Sequence, residues 1–420
     1  MRPREHALTK ASAGPSLADL GSVDVTSAAF KADPFPFYAR LRDEAPVFPV
    51  LVRRKQRAWL VTRYDDVVAV LKEHETFAKD RTAAMSPEQL ARAPRVPRVF
   101  AALERNLLAL DGSDHARLKA LVHRAFTAST VERMRAMAEV VSAAALDRVE
   151  AMGDFDLVAD FGLPVPLTII GRILGVPDRD HAKFGRWWRA FVAVGANANP
   201  LFLFPSMLRL VWYLRGLIQS RRKRPADDLV SALVLAQEGD DRLTDDEILA
   251  MVLLLLSAGH ETTVNLIGSG MLALLSHSAE LARLRREPEL LGSAVEELLR
   301  FAGPAETATE RYAMRDVVIA GAHIPKGEMV LAVLASANRD ATKFDRPDAL
   351  DVARANNRHV AFGLGLHHCL GAPLARMEAR VAIGALVARA PRLRLRVPPE
   401  QLRWRPGFIL RGLESLPVSF

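Results

Sequence analysis

Residues 361–376 read Ala361-Phe362-Gly363-Leu364-Gly365-Leu366-His367-His368-Cys369-Leu370-Gly371-Ala372-Pro373-Leu374-Ala375-Arg376 and hold the only cysteine of the chain. Gly363 and Gly365 permit a loop with positive φ, which lets backbone approach a planar group or an anion closely. Pro373 suits the first turn of a helix that continues through Met377, Val381, Ile383 and Leu386. A thiol just before that turn faces the positive end of the helix and its unpaired N–H groups, both of which favour thiolate. A single cysteine excludes an internal disulfide and any Cys₄ iron–sulfur or zinc site. It leaves an inert core thiol, or one thiolate acting as ligand or nucleophile. A phosphate loop fits poorly, because His368 stands where a further glycine would be needed and no Lys-Ser/Thr pair follows. A zinc site from His359, His367, His368 and Cys369 would require adjacent residues to aim at one tetrahedron.

Upstream, the most apolar stretch runs from Ile248 to Ser276 and carries Ala258-Gly259-His260-Glu261-Thr262-Thr263 in its middle. Thr244 and Glu247 form a capping-box pattern at its start. The unbroken apolar run, Ile248 to Gly259, is short of the roughly 18 residues that span a bilayer, so no transmembrane segment is expected. A helix apolar all round is a buried one, and burying an acid and two hydroxyls in it is costly without a use. The bland alternative is back-bonding to the preceding turn, which bends the helix. Farther on, Glu297-Leu298-Leu299-Arg300 sets an acid and a base on one helical face. The same spacing recurs at Glu132/Arg135, Glu280/Arg283 and Glu400/Arg403, but the apolar neighbours Val295, Leu298, Leu299 and Phe301 single this one out.

Periodicity predicts helices over residues 37–43, 65–74, 115–126, 130–152, 166–174, 179–194, 205–222 and 244–277, and one after Cys369. Strands are expected at 47–52, 58–64, 317–319 and 329–334. With no repeat, linker or composition break, residues 1–420 read as one domain, mainly α with small β-sheets and an N-terminal β-containing lobe at about 35–65. Half of the residues are hydrophobic, and 57 Lys and Arg exceed 49 Asp and Glu by eight. The basic residues are dispersed and mostly Arg, which argues against nucleic acid and for an acidic protein partner.

The string Phe362-Gly363-x-Gly365-x-His367-x-Cys369-x-Gly371 resembles the haem-ligand loop of the cytochrome P-450 family at every diagnostic position. The resemblance runs from Asp33-Pro34 to Phe408 and is most specific from 248 to 376. It implies haem b between the long central helix and the helix after the cysteine, with Cys369 as axial iron ligand. Glu261 and Thr262 resemble the family's oxygen-activating acid–alcohol pair, with Ala258 beside the cofactor. Glu297 and Arg300 resemble its structural Glu-x-x-Arg pair, with Arg354 as third partner. His115, Lys119, Arg311 and His367 stand at propionate-holding positions. There are two departures: Lys119 stands where Arg is usual, and Arg311 lies one residue late. Met85, Leu255, Ala258 and Ala305, continuing to Ala308, are candidate pocket residues, and Trp187 to Arg222 a candidate lid. The lid stretch reads equally as ordinary helix packing, or as a surface that touches membranes.

The implied reaction is insertion of one oxygen atom from O₂ into a hydrophobic small molecule in the cytoplasm. Lacking a flavin or nucleotide fingerprint, the chain would draw NAD(P)H-derived electrons through a ferredoxin or flavodoxin and its reductase. Arg117, Lys119, Arg124, Arg358 and Arg376 form the expected docking surface. The alternatives are a peroxide-driven peroxygenase and a non-catalytic haem gas sensor.

Overall fold

The computed structural model describes residues 23–52, 56–85, 106–125, 128–181, 183–187, 200–238 and 241–420. Its axis is the helix Asp245–Ser276. The capping box closes at its start: the Glu247 amide donates to Thr244 Oγ1 at 3.2 Å, and the Thr244 amide to Glu247 Oε2 at 2.8 Å. Among the described residues this helix is long and apolar enough to cross a membrane. Its apolar residues from Ile248 to Leu274 instead pack into the largest core cluster. There they meet the helices Ala128–Met152, Pro164–Ile173, Leu291–Ala302 and Ala372–Arg389.

A five-stranded sheet joins the two ends of the chain. Its order is Val47–Val52, Gln56–Val61, Met329–Ala332, Arg311–Ala313, Phe77–Ala78. The 329–332 strand runs parallel to Gln56–Val61, with Val330 opposite Trp59 and Leu331 opposite Leu60. Alternation follows the two-residue period of a strand: Ala58, Leu60, Met329 and Leu331 enter one cluster, while Trp59, Val61, Val330 and Ala332 enter another on the opposite face. The second strand ends at Val61, earlier than the sequence pattern suggests. Arg63 is the extended N-cap of the helix Tyr64–Lys72, whose first turn carries Asp65 and Asp66 at the end where acids are favoured.

Other departures are local. Leu157–Gly162 forms a π-helical segment, and the short helix Ala28–Ala32 buries Lys31. Of the expected 179–194 helix, 183–187 are helical and 188–194 lie outside the described residues. Trp188 and Phe191 of the candidate lid lie there too, and the side chains of Phe202 and Phe204 are likewise outside the description. Tyr213 packs on the main core, whereas Trp212 is exposed.

The Glu297 carboxylate is buried and shared. Arg300 grips it in bidentate fashion at 2.8 Å on both oxygens, and Arg354 Nε reaches both at 3.0 and 3.1 Å. Asn357 and the Asp351 amide add bonds at 3.1 and 3.0 Å. Arg300 spends its remaining donors on the carbonyls of Asn338, Pro347 and Ala349. One helix is thereby fastened to the whole 338–357 segment that leads into the cysteine loop.

Candidate functional site

The cysteine loop is shaped by backbone before side chains matter. Gly363 and Gly365 have φ of +66° and +73°. A Cβ on Gly365 would lie 2.7 Å from the Leu71 carbonyl oxygen, so the loop seats against the helix Tyr64–Lys72 only with glycine there. The Cys369 amide donates to the Phe362 carbonyl at 3.0 Å and closes the loop. Gly371 caps the helix Ala372–Arg389, and Pro373 sits in its first turn.

The Cys369 side chain is solvent-accessible, yet closely surrounded by protein. Burial pushes its thiol up, and the N–H groups of Gly371 and Ala372 with the charge of Arg376 offset this only in part. The helix-end effect expected from sequence is present, but desolvation outweighs it. A metal cation bound at the sulfur would favour the thiolate. The zinc reading is not supported, because the histidines diverge. His359 Nε2 bonds Glu296 at 3.1 Å, and His367 Nε2 bonds Asp111 at 3.1 Å.

The long helix and the cysteine helix cross where Thr263 faces the buried Glu378. Two turns on, Gly270 lies against Ile383. Both helices advance in the same direction from that crossing, so Ala258–Thr262 and Cys369–Ala372 occupy the same end. Ala258 is exposed there, in a helix otherwise mostly buried, and Leu255 is half-buried. Thr262 Oγ1 donates to the Ala258 carbonyl at 2.7 Å, and Thr263 Oγ1 to that of Gly259 at 3.0 Å. Both threonines therefore back-bond, as the bland reading held, and Thr262 still presents an acceptor oxygen. Burial raises the Glu261 carboxyl, with Arg405 pulling it partway back. Burial likewise raises Glu378, to about 8, so it stays neutral at pH 7.

Four nitrogen groups gather beside the loop. His115 and His367 stack edge-on at 4.4 Å between ring centroids, and each has a buried Nδ1 without a hydrogen-bond partner. Arg311 is 3% exposed; its guanidinium is bonded to the Thr309 carbonyl at 3.4 Å. Lys79 donates to the Thr309 hydroxyl and, at 2.8 Å, to the Glu310 carbonyl. Burial, and then the neighbouring cations, lowers Lys79 to about 7 and His115 to about 4, and burial lowers Arg311 to about 10. Burial works to raise Asp111, but the bonds from His367 and from the Asp80 and Lys79 amides hold it below its usual range. So much buried donor capacity against so little acceptor fits anionic carboxylates such as haem propionates. Together with a closely surrounded thiol and a glycine loop, the residues fit haem.

Not every expected residue joins this group. Lys119 Nζ donates to the Leu366 carbonyl at 2.5 Å, bracing the cysteine loop itself. Met85 follows the short helix Arg81–Ala84 and is half-buried. Ala305 bridges to Leu410 and packs against the sheet cluster. Phe362 lies beneath the Arg376 guanidinium at 4.4 Å. Sequence reasoning missed Lys79, Asp111 and Glu378. Asp111, four residues before His115, is the one whose spacing could have shown it.

Comparison with known proteins agrees with this geometry. The family model described as Cytochrome P450 matches residues 202–401. The polyketide biosynthesis cytochrome P450 PksS of Bacillus subtilis is 40% identical over 93% of this chain and 96% of its own. Its solved structure superposes with a TM-score of 0.88 at 38% identity, covering 94% of this chain and 99% of that one. The cytochrome P450 monooxygenase PikC of Streptomyces venezuelae is 43% identical over 97% and 95% of the two chains. Myxobacterial CYP267B1, solved with myristic acid, superposes with a TM-score of 0.86 at 39% identity over 94% and 98%. Similarity that covers nearly the whole length extends well beyond the cysteine loop, and the chain belongs to the cytochrome P450 family, enzymes that incorporate oxygen with a haem iron.

Proposed function

We propose that the protein inserts one oxygen atom from O₂ into a C–H or C=C bond of a hydrophobic, polyketide- or fatty-acyl-like molecule. The observation that carries this is the shared end of the two helices, which sets the Cys369 thiol at the same end as exposed Ala258 and the Glu261–Thr262 pair. One relative named for polyketide biosynthesis and one solved with myristic acid support the substrate class. When bound, haem supplies the one-electron iron chemistry that activates dioxygen, with a thiolate as electron donor. Cys369 would hold the iron, and His115, Arg311 and His367 the propionates. Glu261, raised by burial, carries a proton closer to neutrality than an exposed glutamate does. Thr262, anchored through its own O–H, accepts on its lone pairs and orients the group that passes the proton on. Ala258 and Leu255 offer an apolar wall that keeps bulk water away.

Electrons would come from a ferredoxin or flavodoxin and its NAD(P)H-dependent reductase in the cytoplasm. The proposed docking residues differ in how far they are engaged within the chain. Arg117 is engaged with Glu247 at 2.8 Å, Lys119 with the loop carbonyl, and Arg376 with Glu296 at 2.7 and 2.8 Å. Arg358 is exposed, and the Arg124 side chain lies outside the described residues.

The test is turnover with a ferredoxin–reductase pair, NADPH, isotopically labelled O₂ and a panel of apolar substrates. Substrate-dependent NADPH consumption with one labelled oxygen in the product is expected, and Arg358→Glu should slow reduction most at low salt. Full-rate product from hydrogen peroxide alone would favour the peroxygenase reading. NADPH consumption that no substrate stimulates would favour the gas sensor.

A further inference from the structure

The anion site beside the cysteine loop has one member that the loop's sequence pattern does not account for. Lys79 follows the strand Phe77–Ala78, whose antiparallel pairing with Arg311–Ala313 carries its side chain to Thr309, Glu310 and Arg311. It is 7% exposed and Arg311 is 3% exposed. Two buried cations side by side repel, and desolvation adds to the cost unless an anion shares the site. The carboxylates whose charge reaches Lys79 are Glu310 and Asp111. Asp111 is already committed to His367 and to two backbone amides. An ammonium has three donors, and the two bonds to Thr309 and Glu310 leave one for a further acceptor.

We propose that Lys79 and Arg311 together grip one haem propionate, making Lys79 a cofactor-positioning cation that favours reduction of the iron. The proposal rests on the haem reading above. A positive charge beside the cofactor stabilises the reduced state, so the reduction potential should be higher with Lys79 charged than without it. The propionate charge in turn favours the charged form of Lys79. The other groups facing Lys79 are Arg311 near 10, Asp111 held low, Glu310, and His367, which burial lowers and which stacks on His115 near 4.

The experiment compares holoenzyme of wild type, Lys79→Met and Lys79→Arg. The midpoint potential is measured by spectroelectrochemistry across the neutral pH range, and haem loss by transfer to apomyoglobin. Lys79→Met should have a lower potential than wild type and lose haem about tenfold faster, the scale of one charge-assisted bond. Lys79→Arg, which keeps the charge, should keep a high potential and retain haem like wild type. Unchanged potential and haem loss in Lys79→Met would overturn the proposal and leave Lys79 as a brace for the Thr309–Glu310 backbone. Absence of thiolate-ligated haem in wild type would instead overturn the reading on which the proposal stands.

Discussion

Replacing Glu297 with alanine is expected to leave almost no folded, haem-retaining protein. The carboxylate is fully buried and serves Arg300, Arg354, Asn357 and the Asp351 amide at once. Removing one partner of a buried ion pair costs roughly 3–5 kcal/mol, because the remaining charge is left without compensation. Here two guanidiniums lose their anion, so the loss rivals the whole stability of about 5–15 kcal/mol typical of a native protein. Glu297→Gln keeps the volume and an acceptor oxygen and should be intermediate. Soluble yield, haem content and thermal unfolding of the two variants check this. Melting of Glu297→Ala close to wild type would show that the cluster is ornamental.

The second large effect concerns the long helix. Glu261→Gln should bind haem normally yet lower turnover roughly 10²–10⁴-fold, the range for losing a positioned general acid. The pH profile separates this from a structural role. Burial raises the Glu261 carboxyl, so its protonated fraction in the wild type falls as pH rises through that elevated value. Turnover should decline on that alkaline side, and the variant should lack the decline. A variant within a few-fold of wild type, with the same profile, would remove Glu261 from the proton path.

What the sequence revealed was mostly local. The cysteine loop was legible because two glycines, Cys369 and Pro373 fall within a dozen residues, and backbone geometry over so short a span follows from residue type. The long helix was legible from its apolar run and the Thr244–Glu247 cap. Long-range partners mostly were not, the resemblance-implied pairing of Arg354 with Glu297 being an exception. Nothing near Gln56–Val61 announces that it pairs in parallel with Met329–Ala332. Lys31 meets Glu306 at 2.6 Å across 275 positions, and Tyr38 joins the same carboxylate at 2.5 Å. Lys79 reads as an ordinary surface lysine until the sheet places it beside Arg311. Lys119 stands at a position that the resemblance assigns to a propionate, but its ammonium turns to the Leu366 carbonyl. The π-helical segment at Leu157–Gly162 is only six residues long, too short for its apolar spacing to tell it from an ordinary helical turn.

The central claim is that Cys369 ligates a haem iron as thiolate, and the absorption spectrum of the reduced protein with carbon monoxide tests it most directly. Wild type should show the strongly red-shifted Soret band of thiolate-ligated haem, and Cys369→His should lose it while keeping an imidazole-type band. A wild type that binds no haem, or shows only the imidazole-type band, would contradict the account.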